Sequence, residues 1–476
     1  MATAVAIPAG ALPIAMAALA ALGLFYSRNV DTWLLCVGSL WITILCIGGT
    51  KAHPVFWWFI VLSWSRVFAD VLLADISGLS LGEADYRKVA IVYSLVALFF
   101  IACGIRGGFK GVTSAGKEYL QNGRIWTPSL KQVFLIYLCG FPFFGLAAVA
   151  ASLSGGTRQI FGSFMILKIV LLYCLAATVY RTGRGYSVLI LVLAGEVLLG
   201  FSGFFSEFKE PLIVAFIAAL YSRPAGRMGA DLTKRYAVIA LLGGLVIWLS
   251  LIWSAIKPEY REWLNEGTGS QVVMRTLPER LNWLSDNVLV SGNIEYNEAA
   301  RSLLSRIAYT NYYATMLERR DADLISLGES RWLEAFKVII MPRLLFPNKA
   351  VVDDSEVTRR LTGISVNPGT SISIGYIAET HLDFGFPLML IPLLGIGFAM
   401  GRVARAFANM EAPNIIRNAF VCAAIVGAFG FESNIDKVIP AFVLSCGALA
   451  VSARFGHMLW HRGPDRRDRE HGQTHR

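Results

Sequence analysis

Long apolar runs recur along almost the whole of this chain, and nothing else constrains its fold as much. A helix needs about 20 mostly apolar residues to cross a bilayer. Window hydropathy draws about twelve such runs: 5–25, 32–50, 54–73, 88–105, 132–153, 160–180, 186–204, 207–221, 236–256, 376–400, 415–433 and 437–454. Only 16% of the 476 residues are charged, against about 25% in an ordinary soluble protein, and the mean hydropathy is +0.56. The expected fold class is an all-α polytopic membrane protein of about 12 transmembrane helices, with one large, partly helical periplasmic loop. The first run, MATAVAIPAGALPIAMAALAALGLFY, lacks the positively charged start of a signal peptide and reads as a span.

The net charge of +10 is distributed by topology and is no sign of a nucleic-acid partner. Lys and Arg gather in 105–131, 181–185, 222–235, 401–418 and the tail from Arg454. With twelve spans all five segments fall on one side, which the positive-inside rule makes cytoplasmic. Both termini are then cytoplasmic and residues 257–375 lie outside. The expected organisation is therefore 1–256 as spans one to nine, 257–375 as the large outer loop, 376–454 as spans ten to twelve, and 455–476 as a basic tail. The seven cysteines lie in or near apolar runs with no CxxC spacing. They read as small buried hydrophobes rather than disulfide or zinc ligands.

Long loops commonly carry function, and this one shows two amphipathic patterns, 297–320 and 329–342. After them comes MPRLLFPNKAVVDDSEVTRR, with Arg343, Lys349, Arg359 and Arg360. Guanidinium forks and ammonium groups suit phosphate oxygens. The alternative there is a solvated loop held by surface ion pairs. Next, TSISIGYIAETHLDFGFP places Glu379, His381 and Asp383 at the edge of an apolar run. Ionisable groups at membrane depth are costly and face a partner or a wet cavity; a buried carboxyl can become a general base. On a helix Tyr376, Glu379 and Asp383 share one face and His381 points elsewhere. The alternative is a carboxylate paired with an arginine of the long loop. GFSGFFSEFKEP adds Glu207 and Lys209 at an outer turn. Arg66 and Asp70 are spaced for an ion pair, with Arg66 also within reach of an anionic headgroup. Lys168 and Glu196 read as an intramembrane pair. Glu432, Asp436 and Lys437 stand near the outer end of the last two spans. No P-loop, GxSxG or HExxH is present, and no metal or cofactor is expected.

PRLLFPNKAVVDDSEVTRRLTG and TSISIGYIAETHLDFGFPLMLIPLLGIG, with its E-x-x-x-x-F-G transition into a helix, resemble the repeat-unit polymerases of the Wzy type from O-antigen and exopolysaccharide clusters. GFSGFFSEFKEPLIVAFIAAL resembles the family's short polar turn. The resemblance covers roughly 200–225 and 340–400; the family's Arg-x10-Gly pattern is missing from 257–375. It implies a metal-independent membrane glycosyltransferase of the bacterial inner membrane. Such an enzyme polymerises undecaprenyl-pyrophosphate-linked oligosaccharides at the periplasmic face, alongside flippase and chain-length or export proteins. It assigns pyrophosphate to Arg343, Arg359 and Arg360, and the acceptor hydroxyl to Glu379 or His381. Competing readings are a secondary transporter, a glycan ligase and a non-enzymatic export component. Carriers usually show two related halves, and here the long loop follows the ninth span.

Overall fold

The computed structural model describes residues 11–49, 52–82, 85–111, 129–153, 161–203, 208–221, 230–268, 273–290, 295–341, 346, 354–364, 372–427 and 433–460. Among these residues every regular element is a helix. The first nine are α1 (Ala11–Tyr26), α2 (Val30–Ile47), α3 (Pro54–Ile76), α4 (Tyr86–Phe109), α5 (Leu130–Leu153), α6 (Ile166–Thr182), α7 (Tyr186–Phe201), α8 (Lys209–Tyr221) and α9 (Ala230–Leu264). Among the described residues six segments are long and apolar enough to cross a membrane: Val30–Ile47, Tyr86–Phe109, Phe161–Thr182, Ala237–Leu264, Leu390–Ala408 and Ile435–Phe455. Each of the remaining apolar runs also coincides with a helix.

Local signals explain several of the helix starts. Pro54 opens α3, where a missing N–H costs nothing, and the His53 side chain accepts from the Val55 amide. Asp85 does the same for α4 by accepting from Arg87 N at 2.8 Å. Gly48, at φ 116°, closes α2 in the left-handed conformation.

The described residues of 257–375 are largely helical. The helix of α9 runs on to Leu264, and α10 (Leu277–Leu284), α11 (Tyr296–Ile307), α12 (Thr310–Asp321), α13 (Arg331–Ile340) and α14 (Asp354–Thr362) follow. The pattern over 297–320 predicts one helix, but two form. Asp70 of α3 accepts from the Thr310 amide at 3.0 Å and from the Thr310 hydroxyl, so a carboxylate of another helix caps a new start there.

The run 376–400 is also divided, into α15 (Tyr376–Phe384) and α16 (Leu390–Ala408). Gly385 takes φ 66°, a conformation that costs glycine nothing, and Pro387 has no N–H to continue a helix. Glu379, His381 and Asp383 therefore sit on a short helix that precedes the apolar helix α16. The chain closes with α17 (Asn414–Val426) and α18 (Ile435–Trp460).

The closest helix pair is α4 with α16. Gly104 and Gly108 of α4 face Gly397 and Gly401 of α16, four residues apart on both helices. A Cβ at any of them would fall against opposing backbone: Leu394 O, Phe398 O, Ile101 O or Ile105 O. Small residues at such spacing let backbones approach where lipid removes the usual hydrophobic drive.

Candidate functional site

Arg331, the first residue of α13, is 3% exposed and ties three elements together. Its Nε donates to Glu379 Oε1 at 2.8 Å, its Nη1 to Glu334 Oε2 at 2.6 Å, and its Nη2 lies 3.5 Å from Asp436 Oδ2 of α18. The Ile435 amide donates to Glu379 Oε2 at 2.6 Å. Both Glu379 oxygens thus act as acceptors, as an ionised carboxylate requires. Burial is the stronger influence on Glu379 and pushes its carboxyl up to about 7, with Arg331 opposing. Burial also works against the Arg331 charge, but Glu379 and Asp436 outweigh it and hold the guanidinium above its ordinary value.

Asp383 accepts from the Arg331 amide at 3.0 Å and the Trp332 amide at 2.8 Å, so it caps the start of α13. Trp332 Nε1 donates to Thr380 at 3.0 Å, and the Gly328 amide to Leu382 O at 2.9 Å. These bonds fix the rotation of α13 on α15.

His381 points to the opposite side of α15, towards α4 and α12, as its helical position dictates. Its ring stacks on Tyr93 of α4 at 5.4 Å between centroids. Arg320 of α12 bonds its Nε2, and the Tyr313 hydroxyl lies 2.6 Å from its Nδ1. A guanidinium only donates, so Nε2 must accept and Nδ1 carries the proton. The direction then continues: His381 Nδ1–H donates to Tyr313, and Tyr313 donates to the Met389 sulfur at 3.8 Å. Burial, helped by the Arg320 charge, lowers the imidazole to about 4 and keeps it neutral.

A second charged region has a different make-up. Arg66 of α3, Lys209 of α8, Lys257 and Arg261 of α9 and Arg306 of α11 converge where these four helices meet. Lys257 feels the charges of Arg306, Arg261 and Lys209, and Lys209 those of Arg306 and Arg66. Arg66 lies over the Tyr309 ring at 6.0 Å, and its charge reaches Tyr376. A wall of aromatic rings packs on the C-terminal end of α9. Tyr260 stacks on Trp263 at 5.9 Å, Trp263 on Trp283 at 5.8 Å, and the Tyr260 hydroxyl donates to Ser202 O at 2.9 Å. Cations brought together in this way repel one another, and an anion among them relieves that repulsion.

The sequence candidates divide accordingly. Arg66 and Lys209 join the cation cluster, with Tyr376, 0% exposed, beside it. Glu379, His381 and Asp383 come together on α15, the two carboxylates engaged with α13 and the imidazole with α12. Arg359 and Arg360 sit apart on the exposed face of α14, where Arg359 pairs with Glu356, and Arg360 with Glu329 at 2.6 Å. This is the surface ion-pair arrangement weighed for that segment. Arg343, Lys349, Glu207 and Glu432 lie outside the described residues. Lys168 pairs with Glu196, which the Tyr137 hydroxyl also bonds. Asp70 is engaged by Thr310.

Sequence reasoning missed Arg331, Arg320, Lys257, Arg261 and Arg306. The signal for Lys257 and Arg261 was their spacing of four residues on the polar continuation of an apolar helix. Arg331 opens the amphipathic pattern at 329–342. Among the described residues no three His, Cys, Asp or Glu side chains gather in a way that holds a metal. Comparison with protein-family models, curated proteins and solved structures found no match.

Proposed function

We propose that this chain is a membrane glycosyltransferase that joins lipid-linked oligosaccharide repeats into a longer glycan at the outer face of the inner membrane. The observation that carries the reading is the convergence of Arg66 within α3, Lys209 at the start of α8, Lys257 and Arg261 near the end of α9, and Arg306 of α11. A lipid-linked pyrophosphate presents its charge at that depth, where it is partly desolvated and gains most from guanidinium and ammonium donors. In such a transfer the sugar anomeric carbon leaves the pyrophosphate oxygen and bonds to an acceptor hydroxyl. The cations stabilise the negative charge that grows on the departing pyrophosphate.

The acceptor proton is assigned to Glu379. Its raised carboxyl suits a general base near neutrality, and it stands one helical turn from Tyr376, which feels Arg66. Reaching it requires the Arg331 pair to part. His381, with Nε2 bonded by Arg320, holds α12 against α15 in this reading.

The test is the length distribution of surface and secreted polysaccharide after deletion of the gene, read beside the pool of lipid-linked intermediates. Single repeats accumulating on the carrier, restored to long chains by the wild-type gene but not by Lys257→Ala with Arg306→Ala, is the expected result. Full-length polymer trapped inside the cell would replace this reading with a transporter. Unchanged glycans would end it.

A further inference from the structure

The helix α13 turns the wrong face outwards for a segment bathed in water. Leu333, Phe336 and Ile340, at the three-and-four spacing of one helix face, are 54%, 47% and 74% exposed. The opposite face, with Arg331 and Ala335, is buried. Rotation cannot hide the apolar face, because the Arg331 pairs and the Asp383 cap hold the helix in register.

Two observations say what covers it. The patch continues through Phe384, whose ring meets Trp332 edge-on at 6.0 Å, to Phe386 and Leu388. From there it runs into the outward face of α16, where Ile391 is 69% exposed and Phe398 46%. That face belongs to a helix long and apolar enough to span a membrane. Secondly, the Arg331 side chain is drawn inwards to α15 and α18 and the first amides of α13 to Asp383, while the exposed Lys337, which shares the apolar face, has a stem long enough to lie along apolar surface with its ammonium at the headgroup level. Helices with this arrangement lie in the interface plane, with their apolar side about 5–10 Å deep at the headgroup and acyl boundary.

We propose that α13 is an interfacial anchor, with Leu333, Phe336 and Ile340 among lipid acyl chains, and that its partner is the bilayer itself. Through Arg331 the anchor sets the depth of Glu379 relative to the membrane surface. The proposal rests on the chain being a membrane protein and not on the polymerase reading.

The experiment uses the intact chain in phosphatidylethanolamine–phosphatidylglycerol nanodiscs that carry a phospholipid with a photoreactive diazirine in its acyl chain. Adducts are mapped by mass spectrometry on the peptide containing 333–341 and on the peptide containing 391–398, which serves as the lipid-facing standard. Labelling within about threefold of the standard is expected for a helix at that depth. Labelling below about a tenth of the standard overturns the proposal, whether a water-soluble carbene reagent marks the peptide or a cross-link joins it to a second copy. A variant carrying Leu333→Asn, Phe336→Asn and Ile340→Asn removes only exposed side chains. It is expected to keep the wild-type melting temperature in detergent while its lipid labelling falls several-fold. Labelling that persists unchanged in this variant would also overturn the proposal, since the named side chains would then not be the ones in lipid.

Discussion

Two charged regions of this molecule differ in composition. Around Arg331 one cation meets three carboxylates, each from a separate position along the chain, and the Ile435 amide uses the second oxygen of Glu379. Around Lys257 the neighbouring charges that bear on it are all positive. The first arrangement sets its cation against carboxylates of the chain itself and can hold helices in place. Among the described residues the second gathers cations from four helices, and an anion placed among them would lower their mutual repulsion. Buried ion pairs give position and register at little net gain in stability, but breaking one is expensive. A like-charge cluster does the opposite: it costs the folded state something, and losing a member costs little.

Arg331→Ala puts the largest strain on that comparison. It leaves Glu379 and Asp436 buried without their cation, and the expected loss is about 3–5 kcal/mol, read as a collapse of folded yield and melting temperature in detergent. Adding Glu379→Gln to Arg331→Ala should recover part of the loss. An additive double mutant would mean that the two side chains do not act as a pair.

The His381 pocket gives the next effect, through pH. Burial and the Arg320 charge hold the imidazole at about 4, below its ordinary value of 6.5. The unfolded chain therefore takes up this proton first as pH falls. The stabilisation is intact above about 6.5 and drains away as the pH drops towards 4. The wild-type melting temperature should fall over that window, and His381→Phe should flatten the slope. An equally steep slope in the variant would assign the pH dependence to other groups.

Lys257→Ala with Arg306→Ala sharpens the other side of the comparison. Stability should stay within about 0.5 kcal/mol of wild type or rise slightly. Inorganic pyrophosphate, which should raise the wild-type melting temperature by mass action, should no longer do so. Equal protection of both proteins would dismiss the cluster as the anion site. Arg359→Ala is expected to have the smallest effect, about 0.5 kcal/mol or less on stability, because its pair with Glu356 is more than half exposed. A larger loss, or a loss of pyrophosphate protection, would return α14 to the site.

Much of the fold was legible because lipid demands long apolar runs, and helices stand on each of them. The Lys168–Glu196 pair was legible too, since an isolated charge in such a run needs a partner. The site was legible only in part. ETHLD announced itself as a concentration of polar groups beside apolar sequence, and Arg66 and Lys209 as charges near span ends. Arg331 and Arg306 stand in a polar loop where an arginine is unremarkable, so neither could be told from a solvated side chain. The basic segment at 341–360 drew the eye by its density of charge. Yet density along the chain measures neither burial nor convergence, and its two described arginines pair on the surface.

By itself the sequence determined that this protein is helical, that it carries helices apolar enough for a membrane, and where most of them begin and end, because these follow from hydropathy, caps and the backbone limits of Gly and Pro. Only the tertiary structure decided which faces meet, that α15 stands apart from α16, and that one set of charges is balanced while another converges. Inside lipid both sides of a helix are apolar, so no periodicity marks the packed side. Electrostatic partners are chosen by proximity in space, and Glu379 lies 48 residues from Arg331 along the chain but within a hydrogen bond of it in the fold.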